Sequence, residues 1–477
     1  MKTNILLTFL LCAFVAQAQY DKEKQVVITD LDKNFSKYSG IAKEIWGYAE
    51  LGFLEERSAT TLQALLKSEG FAVQSGVAGM PTAFVATYGS GKPVIGILAE
   101  YDALPGLSQA AMPTKQPVVP GGSGHGCGHN LFGTASSASA IALKNWLIKN
   151  KKQGTIKLYG TPAEEGGAAK VYIAREGLLE GVDAVVNWHP SSQNNASAQT
   201  CLAVKQGMFR FYGKSAHAAA APHRGRSALD GVEAMNYMVN LMREHVPQES
   251  RIHYVIKKGG EAPNVVPDYA EVEYIIRSPE VDAVKELWSR VVKAAEAGAM
   301  GTETTVKIEV ISGIYNLLPN ETLAKLQHAN LVKVGGVKYT PEEEEFAKQL
   351  QTSFDFSTPP ITEAAKIEDY KLGYFPASTD VGDISWLVPT VGLGTATWVP
   401  GTSAHSWQAV AANGMSIGFK GMINAAKVMA MTGVDLLMNP ALLTQAREEF
   451  DKKRGAQFKY ESLVGDRNPP LDFRKSK

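Results

Sequence analysis

Apolar and polar positions along the chain change rhythm several times, and each rhythm predicts a different element. From Ile41 to Gly70 apolar residues recur at helical spacing, and Gly70 in "EGF" offers a left-handed stop. Two alternating runs, TAFVATY (82–88) and PVIGILA (93–99), flank GSGK and predict a hairpin. After a glycine-rich ribbon, Asn130 is placed to cap a helix through LFGTASSASAIALKNWLIKN that closes before Gly154. Two short apolar strands follow, TIKLYG (155–160) and AVVNW (184–188), with the helical segment AAKVYIAREGLLEG between them. Strand, helix, strand in that order predicts parallel pairing in an α/β sheet.

From about Leu202 the order becomes strand (LAVKQGMFRFYG), helix (225–244), strand (RIHYVIKK), strand (YAEVEYIIRS), helix (280–298) and strand (TVKIEVISG). Ala228, Val232, Met235, Val239 and Met242 share one face of the first of these helices, which therefore docks on a sheet. This β-α-β-β-α-β order is that of a ferredoxin-like α+β unit inserted into the larger domain. After about Leu318 the α/β character resumes, with the glycine-rich stretch PTVGLGTATWVPGTSAHSW (389–407) and a last long helix (408–432). The division is thus 19–201 with 318–438 as one α/β unit with a mixed sheet, 202–317 as the insert, and 439–477 as a polar extension that is either a surface wrap or a loose tail. A chain of this length exceeds what one core usually holds, roughly 100 to 200 residues per domain.

The opening MKTNILLTFLLCAFVAQAQY changes the picture of where the chain works. A lysine, an apolar run from Ile5 to Val15 and Ala16-Gln17-Ala18 read as a secretory signal over residues 1–18, so the mature chain is expected to be exported, periplasmic or secreted. That run is too short for a membrane span, and no longer one follows. Forty-eight basic residues balance 48 acidic ones, so no global field draws the chain to nucleic acid, and a small-molecule or peptide partner is expected. With Cys12 in the leader, only Cys127 and Cys201 remain, too few for a disulfide framework although one bridge between them stays open.

The ionisable residues cluster at strand ends. GILA runs into Glu100-Tyr101-Asp102, IKLYGTPA into Glu164-Glu165, and AVVNW into His189, where Pro190 is expected to stop the strand. In an open parallel sheet the carboxyl ends of strands share one edge, where ligands bind. The ribbon GGSGHGCGHN (121–130) adds Cys127 and His129; its glycines keep it extended, so residues i and i+2 point the same way. Thiolate, imidazole and carboxylates at one rim are ligand chemistry for divalent metals, sulfur and nitrogen favouring Zn2+ and the carboxylates admitting Mn2+. Adjacent glutamates project to opposite sides, so one can bind metal while the other faces substrate as general base. Asp102 suits orienting a metal-bound imidazole, and Asp380 and Asp383 could do the same. His125 is a rival ligand; His223, His245, His253 and His328 read as ordinary surface or packing residues.

Taken together, WGYAELGFLEERSATTLQALLKSEGF, AEYDALPGL, GHGCGHN, GTPAEEGG, NWHP, GKSAHAAAAPHRGRSALDG, APNVVPD, STDVGDISW and PGTSAHSW resemble the two-metal aminoacylase and carboxypeptidase-type amidohydrolases over nearly the whole mature chain. The resemblance implies a zinc-peptidase-like catalytic domain with an inserted lid and dimerisation domain. It implies Cys127, His129, Glu165, His189 and His405 as ligands of two divalent ions, Zn2+ or Mn2+, with the thiolate bridging, and Glu164 as general base. His217 of SAHAA would reach the other subunit's site to stabilise the oxyanion, while Asn264 and Arg277 would lie near the substrate's carboxylate. The implied substrates are N-acyl amino acids such as aminobenzoyl-glutamate, or related dipeptides; the implied assembly is a homodimer, with an A-type partner subunit left open. Many relatives in the conjugate-hydrolase branch carry aspartate after Cys-Gly-His where this chain has Asn130, which marks a subfamily.

Two other readings compete. Cys127 with His129 or His125 could form a cysteine-nucleophile amidase, although five ligating groups exceed what such a pair needs. Alternatively the chain is a silent binding protein on a peptidase scaffold, against which stands a site whose acids, thiol and imidazoles are all present.

Overall fold

The computed structural model describes residues 21–475, so the expected leader over residues 1–18 lies outside it. In chain order, helices α1 (21–33), α2 (Phe35–Tyr48) and α3 (Glu56–Ser68) precede strands β1 (Ala72–Ser75), β2 (Phe84–Ser90) and β3 (Val94–Ala99). Helix α4 (His129–Asn150), β4 (Gly154–Gly160), α5 (Ala169–Arg175), β5 (Ala184–Val186), β6 (His189–Ser191) and β7 (Gln199–Thr200) follow. The insert comprises β8 (Ala203–Tyr212), α6 (Ala228–Met242), β9 (Arg251–Lys258), β10 (Tyr269–Ser278), α7 (Val281–Gly301) and β11 (Thr305–Ile314). Then come α8 (Glu321–Val334), α9 (Pro341–Gln351), β12 (Gly373–Tyr374), α10 (Val381–Ser385), β13 (Thr390–Val391), β14 (Gly394–Ala396), α11 (Trp407–Asn413), α12 (Ser416–Met438) and α13 (Pro440–Arg454).

The central sheet is mixed, in the order β1-β2-β4-β3-β5-β13. β3 pairs parallel with both β4 and β5, and β5 with β13, while β2 runs antiparallel between β1 and β4. Both faces are covered, which is why these strands read as nearly continuous apolar runs. Along β3, Ile95, Ile97 and Ala99 enter the cluster beneath α4 and α12, whereas Val94 and Leu98 enter the cluster beneath α5. α4 is buried almost all round because it lies between the sheet, α2 and α12.

The insert is a four-stranded antiparallel sheet ordered β11-β8-β10-β9, with α6 and α7 on one face. Ala270, Val272, Tyr274 and Ile276 of β10 are buried and alternate with half-buried Glu271, Glu273, Ile275 and Arg277 on the open face. Edge strand β9 is exposed over most of its length. No helix among the described residues is long and apolar enough to cross a membrane.

Residues 439–475 form a wrap rather than a loose tail. α13 lies along α8, where Asn320 Nδ2 donates to Ala446 O at 2.8 Å and Glu449 accepts from the N–H groups of Glu321 and Thr322. The chain then crosses the hinge of the insert: Tyr315 Oη donates to Glu461 O, and Tyr460 Oη to Asp383 Oδ1. It ends against the turn between α2 and α3, with Phe473 edge-on to Phe53 at 5.8 Å.

Several local expectations fail for identifiable reasons. The predicted hairpin 82–99 does not form, because β4 enters between β2 and β3. The helix over 41–70 is two helices broken at 49–55, where Ala49 and Phe53 are left-handed. The helix over 408–432 divides at Gly414, which packs under Trp46. Asn130 does not cap α4: left-handed Gly128 precedes the helix, and the Asn130 amide donates to Ala42 O and Asn413 O. His189 begins β6 rather than ending β5, and Pro190 sits inside that short strand beside β14.

Candidate metal centre

Three strand ends and two loops build the site. β3 delivers Glu100, Tyr101 and Asp102, all buried. The loop after β4 carries Glu164 and Glu165. It is pinned by Thr161 N donating to Ala99 O at 2.7 Å, Ala163 N to Glu55 Oε1 at 2.8 Å, and Glu165 N to Asp102 Oδ2 at 2.9 Å. Arg474 Nη2 donates to the Glu165 carbonyl at 2.9 Å from the C-terminal wrap. Ala163, Ala168 and His405 hold left-handed backbone (φ +52°, +54° and +58°), strain that concentrates around functional sites. The ribbon approaches its neighbours too closely for side chains: a Cβ on Gly126 would meet Leu107 Cδ1 at 2.6 Å, and one on Gly128 would meet Pro190 at 2.8 Å. His405 N donates to Gly126 O at 3.0 Å, tying the last histidine to the ribbon.

Cys127, His129, Glu165, His189 and His405 are thereby brought together. Cys127 Sγ lies 3.3 Å from His189 Nε2, and Glu165 Oε1 lies 3.0 Å from His405 Nε2. Donor atoms of Cys127, His129 and His189 form one group within 4.8 Å, and those of Cys127, Glu165 and His405 another, so the sulfur belongs to both. A third group joins Glu100, His129 and Glu164. Glu100 Oε2, His129 Nε2 and Glu165 Oε1 are buried and meet only ionisable donor atoms of the site, Glu100 against His129 and Glu165 against His405, each at 3.0 Å, as suits atoms that can turn to a shared cation. Asp102 Oδ1 lies 2.8 Å from His129 Nδ1, which fixes the ring so that Nε2 faces the group. Cys127 and Cys201 are both free thiols, so the bridge between them does not form.

The electrostatics follow from crowding acids in a dry rim. Burial opposes charge on His129, but Asp102, Cys127 and Glu100 outweigh it and raise the imidazole well above its ordinary value. Burial pushes the Cys127 thiol up. Burial also raises Glu164, helped by the carboxylates of Glu100, Glu165 and Asp380 and opposed by Lys170. His125 is pressed down to about 3 by burial and hydrogen-bonds Ile45 O through Nε2, so it is a neutral packing residue.

One residue of the centre escaped sequence reasoning. Lys170 is fully buried, 2.7 Å from Glu100 Oε1 and 2.6 Å from Asp380 Oδ1, and Asp380 also accepts from the Lys170 backbone N–H. The only local hint was a lysine at the start of a short helix that is apolar from Val171 to Ala174. Asp383 instead serves the hinge, accepting from Tyr315 N and Tyr460 Oη.

No hydrogen bond or ion pair among the described residues links His217, Asn264 or Arg277 to this centre. His217 is exposed, and its Nδ1 accepts from the N–H groups of Ala219 and Ala220, leaving Nε2 to carry the proton outward. Asn264 neighbours it through Ala218 N donating to Asn264 O. Arg277 stands at the opposite end of the insert's sheet, paired with Val204 and Arg251, about 26 Å from Tyr269 at roughly 3.3 Å per residue.

The M20 peptidase dimerisation domain matches residues 204–303. The chain is 40% identical over 456 residues to the B subunit of p-aminobenzoyl-glutamate hydrolase of Escherichia coli (strain K12), covering 90% of this chain and 94% of the relative. The chain belongs to the M20 peptidase family. A second relative, Xaa-Arg dipeptidase of Mus musculus, is 30% identical over 91% of this chain and 94% of its own. The fold is that of the Bacillus subtilis YXEP protein, a dinuclear metal-binding peptidase from the M20 family, with TM-score 0.58 and 16% identity over 85% of this chain and 99% of that one. The expected class, a metal-dependent amidohydrolase with a mixed-sheet α/β body and an inserted α+β unit, therefore holds for this M20 chain.

Proposed function

We propose that the chain holds two divalent cations and hydrolyses the amide bond of an N-acyl amino acid such as aminobenzoyl-glutamate, or of a related dipeptide. The observation that carries this is the position of Cys127, whose sulfur belongs to two ligand groups at once. His129 and His189 complete one group and Glu165 and His405 the other; this mixture of sulfur, nitrogen and oxygen donors suits Zn2+ or Mn2+. Such cations, when bound, acidify water and polarise a carbonyl. Glu164, raised by burial and its acidic neighbours, accepts a proton from water and returns it to the leaving nitrogen.

The remaining parts come from a second copy. A single chain sets His217 and Asn264 at one end of the insert's sheet and Arg277 at the other, so one site can use all three only in a homodimer. The surface for it is the exposed edge β9, with Val255 52% and Ile256 42% exposed, beside Tyr237 (66%) and Leu241 (56%) on α6. In that dimer the His217 Nε2–H donates to the developing oxyanion and Arg277 forks onto the substrate's carboxylate. The Escherichia coli relative is named as one of a hydrolase's subunits, which supports testing for an A-type partner by co-purification. Export rests on residues 1–18, and cell fractionation tests it.

The deciding assay is hydrolysis over a panel of N-acyl amino acids and dipeptides after chelation and after adding back Zn2+ or Mn2+. Cleavage is expected only with metal. Silence across the panel at full occupancy supports the binding-protein reading. Activity that survives exhaustive chelation and dies on thiol alkylation supports the cysteine nucleophile.

A further inference from the structure

Glu100 lies outside the five-ligand set, yet its geometry copies that of the ligands. It is 1% exposed and its two oxygens have separate tasks: Oε1 meets Lys170 Nζ at 2.7 Å, while Oε2 lies 3.0 Å from His129 Nε2. The two face each other as an ion pair, and neither has an aligned hydrogen bond to any other group. With a Glu164 oxygen they form a group of three donor atoms within 4.8 Å of one another, close enough to share one cation. The Glu100–His129 spacing matches the other donor edges of the site, 3.3 Å for Cys127–His189 and 3.0 Å for Glu165–His405. It is also the separation expected of two atoms that each sit about 2.0–2.2 Å from one ion.

We propose that Glu100 Oε2 is a further ligand of the cation held by His129, and that Lys170 is the positioning residue that makes Glu100 offer that oxygen alone. Lys170 is itself immobilised, because Asp380 takes its ammonium with one oxygen and its backbone N–H with the other. With Oε1 engaged, Glu100 binds through one atom. The two cation positions are then unequal: the His129 side gains a carboxylate backed by a buried ammonium, and the His405 side faces solvent through a histidine whose side chain is 54% exposed. This inference rests on the two-cation reading above.

The test is a crystal structure of the wild-type chain grown with Mn2+, read at the anomalous peaks, together with metal content and affinity of Glu100→Gln and Lys170→Met after equilibrium dialysis. Glu100 Oε2 is expected within about 2.0–2.3 Å of one peak. Glu100→Gln is expected to keep one tight equivalent and to bind the second at least tenfold more weakly, and Lys170→Met is expected to weaken the same equivalent. Two peaks with Oε2 more than 3 Å from both, or two equivalents of unchanged affinity in a folded Glu100→Gln, overturn the inference while leaving the two-cation reading intact. A wild-type chain that takes up no Mn2+ overturns that reading, and this inference with it. The wild-type crystal decides the matter even where the variants do not fold.

Discussion

Asp102→Asn tests how the centre is held together. Both Asp102 oxygens are acceptors in a buried site, Oδ1 toward His129 Nδ1 at 2.8 Å and Oδ2 from Glu165 N at 2.9 Å. Asparagine replaces one oxygen with an NH2 group. If its oxygen serves Glu165, the NH2 must donate to His129 Nδ1, which moves the ring proton to Nε2 and removes the lone pair that would face the cation. If its oxygen serves His129, the NH2 confronts the Glu165 N–H, and an unsatisfied buried donor costs about 1–3 kcal/mol. Loss of such an outer partner typically weakens metal binding 10- to 100-fold, or about 1.4–2.7 kcal/mol. The expected result is therefore a loss of that size for the His129-side equivalent, measured by competition against a chelator of known affinity, with lower thermal stability in metal-free protein. Affinity and turnover within about twofold of wild type would refute the argument that one carboxylate sets both the ring proton and the Glu165 loop.

Four other substitutions, the first two used as a pair, give three distinct readouts. His217→Ala and Glu164→Gln should each lose at least about 100-fold in kcat, yet dissociated and reassociated mixtures should recover roughly a quarter of the wild-type sites, because a hybrid dimer rebuilds one of them; no recovery would place His217 in its own chain's site. Gly128→Ala puts a Cβ on left-handed backbone at φ +80° and within 2.8 Å of Pro190, so it should lose more than the about 1–2 kcal/mol of backbone strain alone, and a melting temperature equal to wild type would contradict the packing described. Burial works against the ionised Glu449, but Lys453, Thr322 and two backbone N–H groups hold it down to about 2 from 4.5. That depressed value means its stabilisation is present above about pH 4.5 and lost as pH falls toward 2. Glu449→Gln should thus lose roughly 1–2 kcal/mol at neutral pH and show a flatter pH dependence across that window in denaturant titrations; identical slopes for the two proteins would argue against the charge-assisted cap.

The insert was legible because its evidence is local: period-2 alternation in EVEYIIRS and a 3.6-residue stripe in 228–242 each name an element and its buried face. The gathering of Glu100, Asp102, Glu164 and Glu165 at one rim was legible too, because acids that follow neighbouring parallel strands share an edge; His405 entered only through the family resemblance. Pairing partners were not. The turn at 89–92 looks like a hairpin, and nothing local says that β4, more than 50 positions later, will separate its arms. Lys170 was opaque for the same reason. A lysine among apolar residues reads as a surface charge until the fold puts Glu100 and Asp380, 280 positions apart in sequence, on either side of it. His217 and Asn264 pose a further difficulty, since their expected task lies in another copy of the chain.

Among the described residues, the last to reach the centre during synthesis belongs to the wrap. Arg474 caps the Glu165 carbonyl from 309 positions downstream, so the loop bearing Glu165 lacks that anchor until nearly all of the described chain has left the ribosome. A nascent chain stalled before the wrap would carry every donor atom of the site with one of its loops still untied.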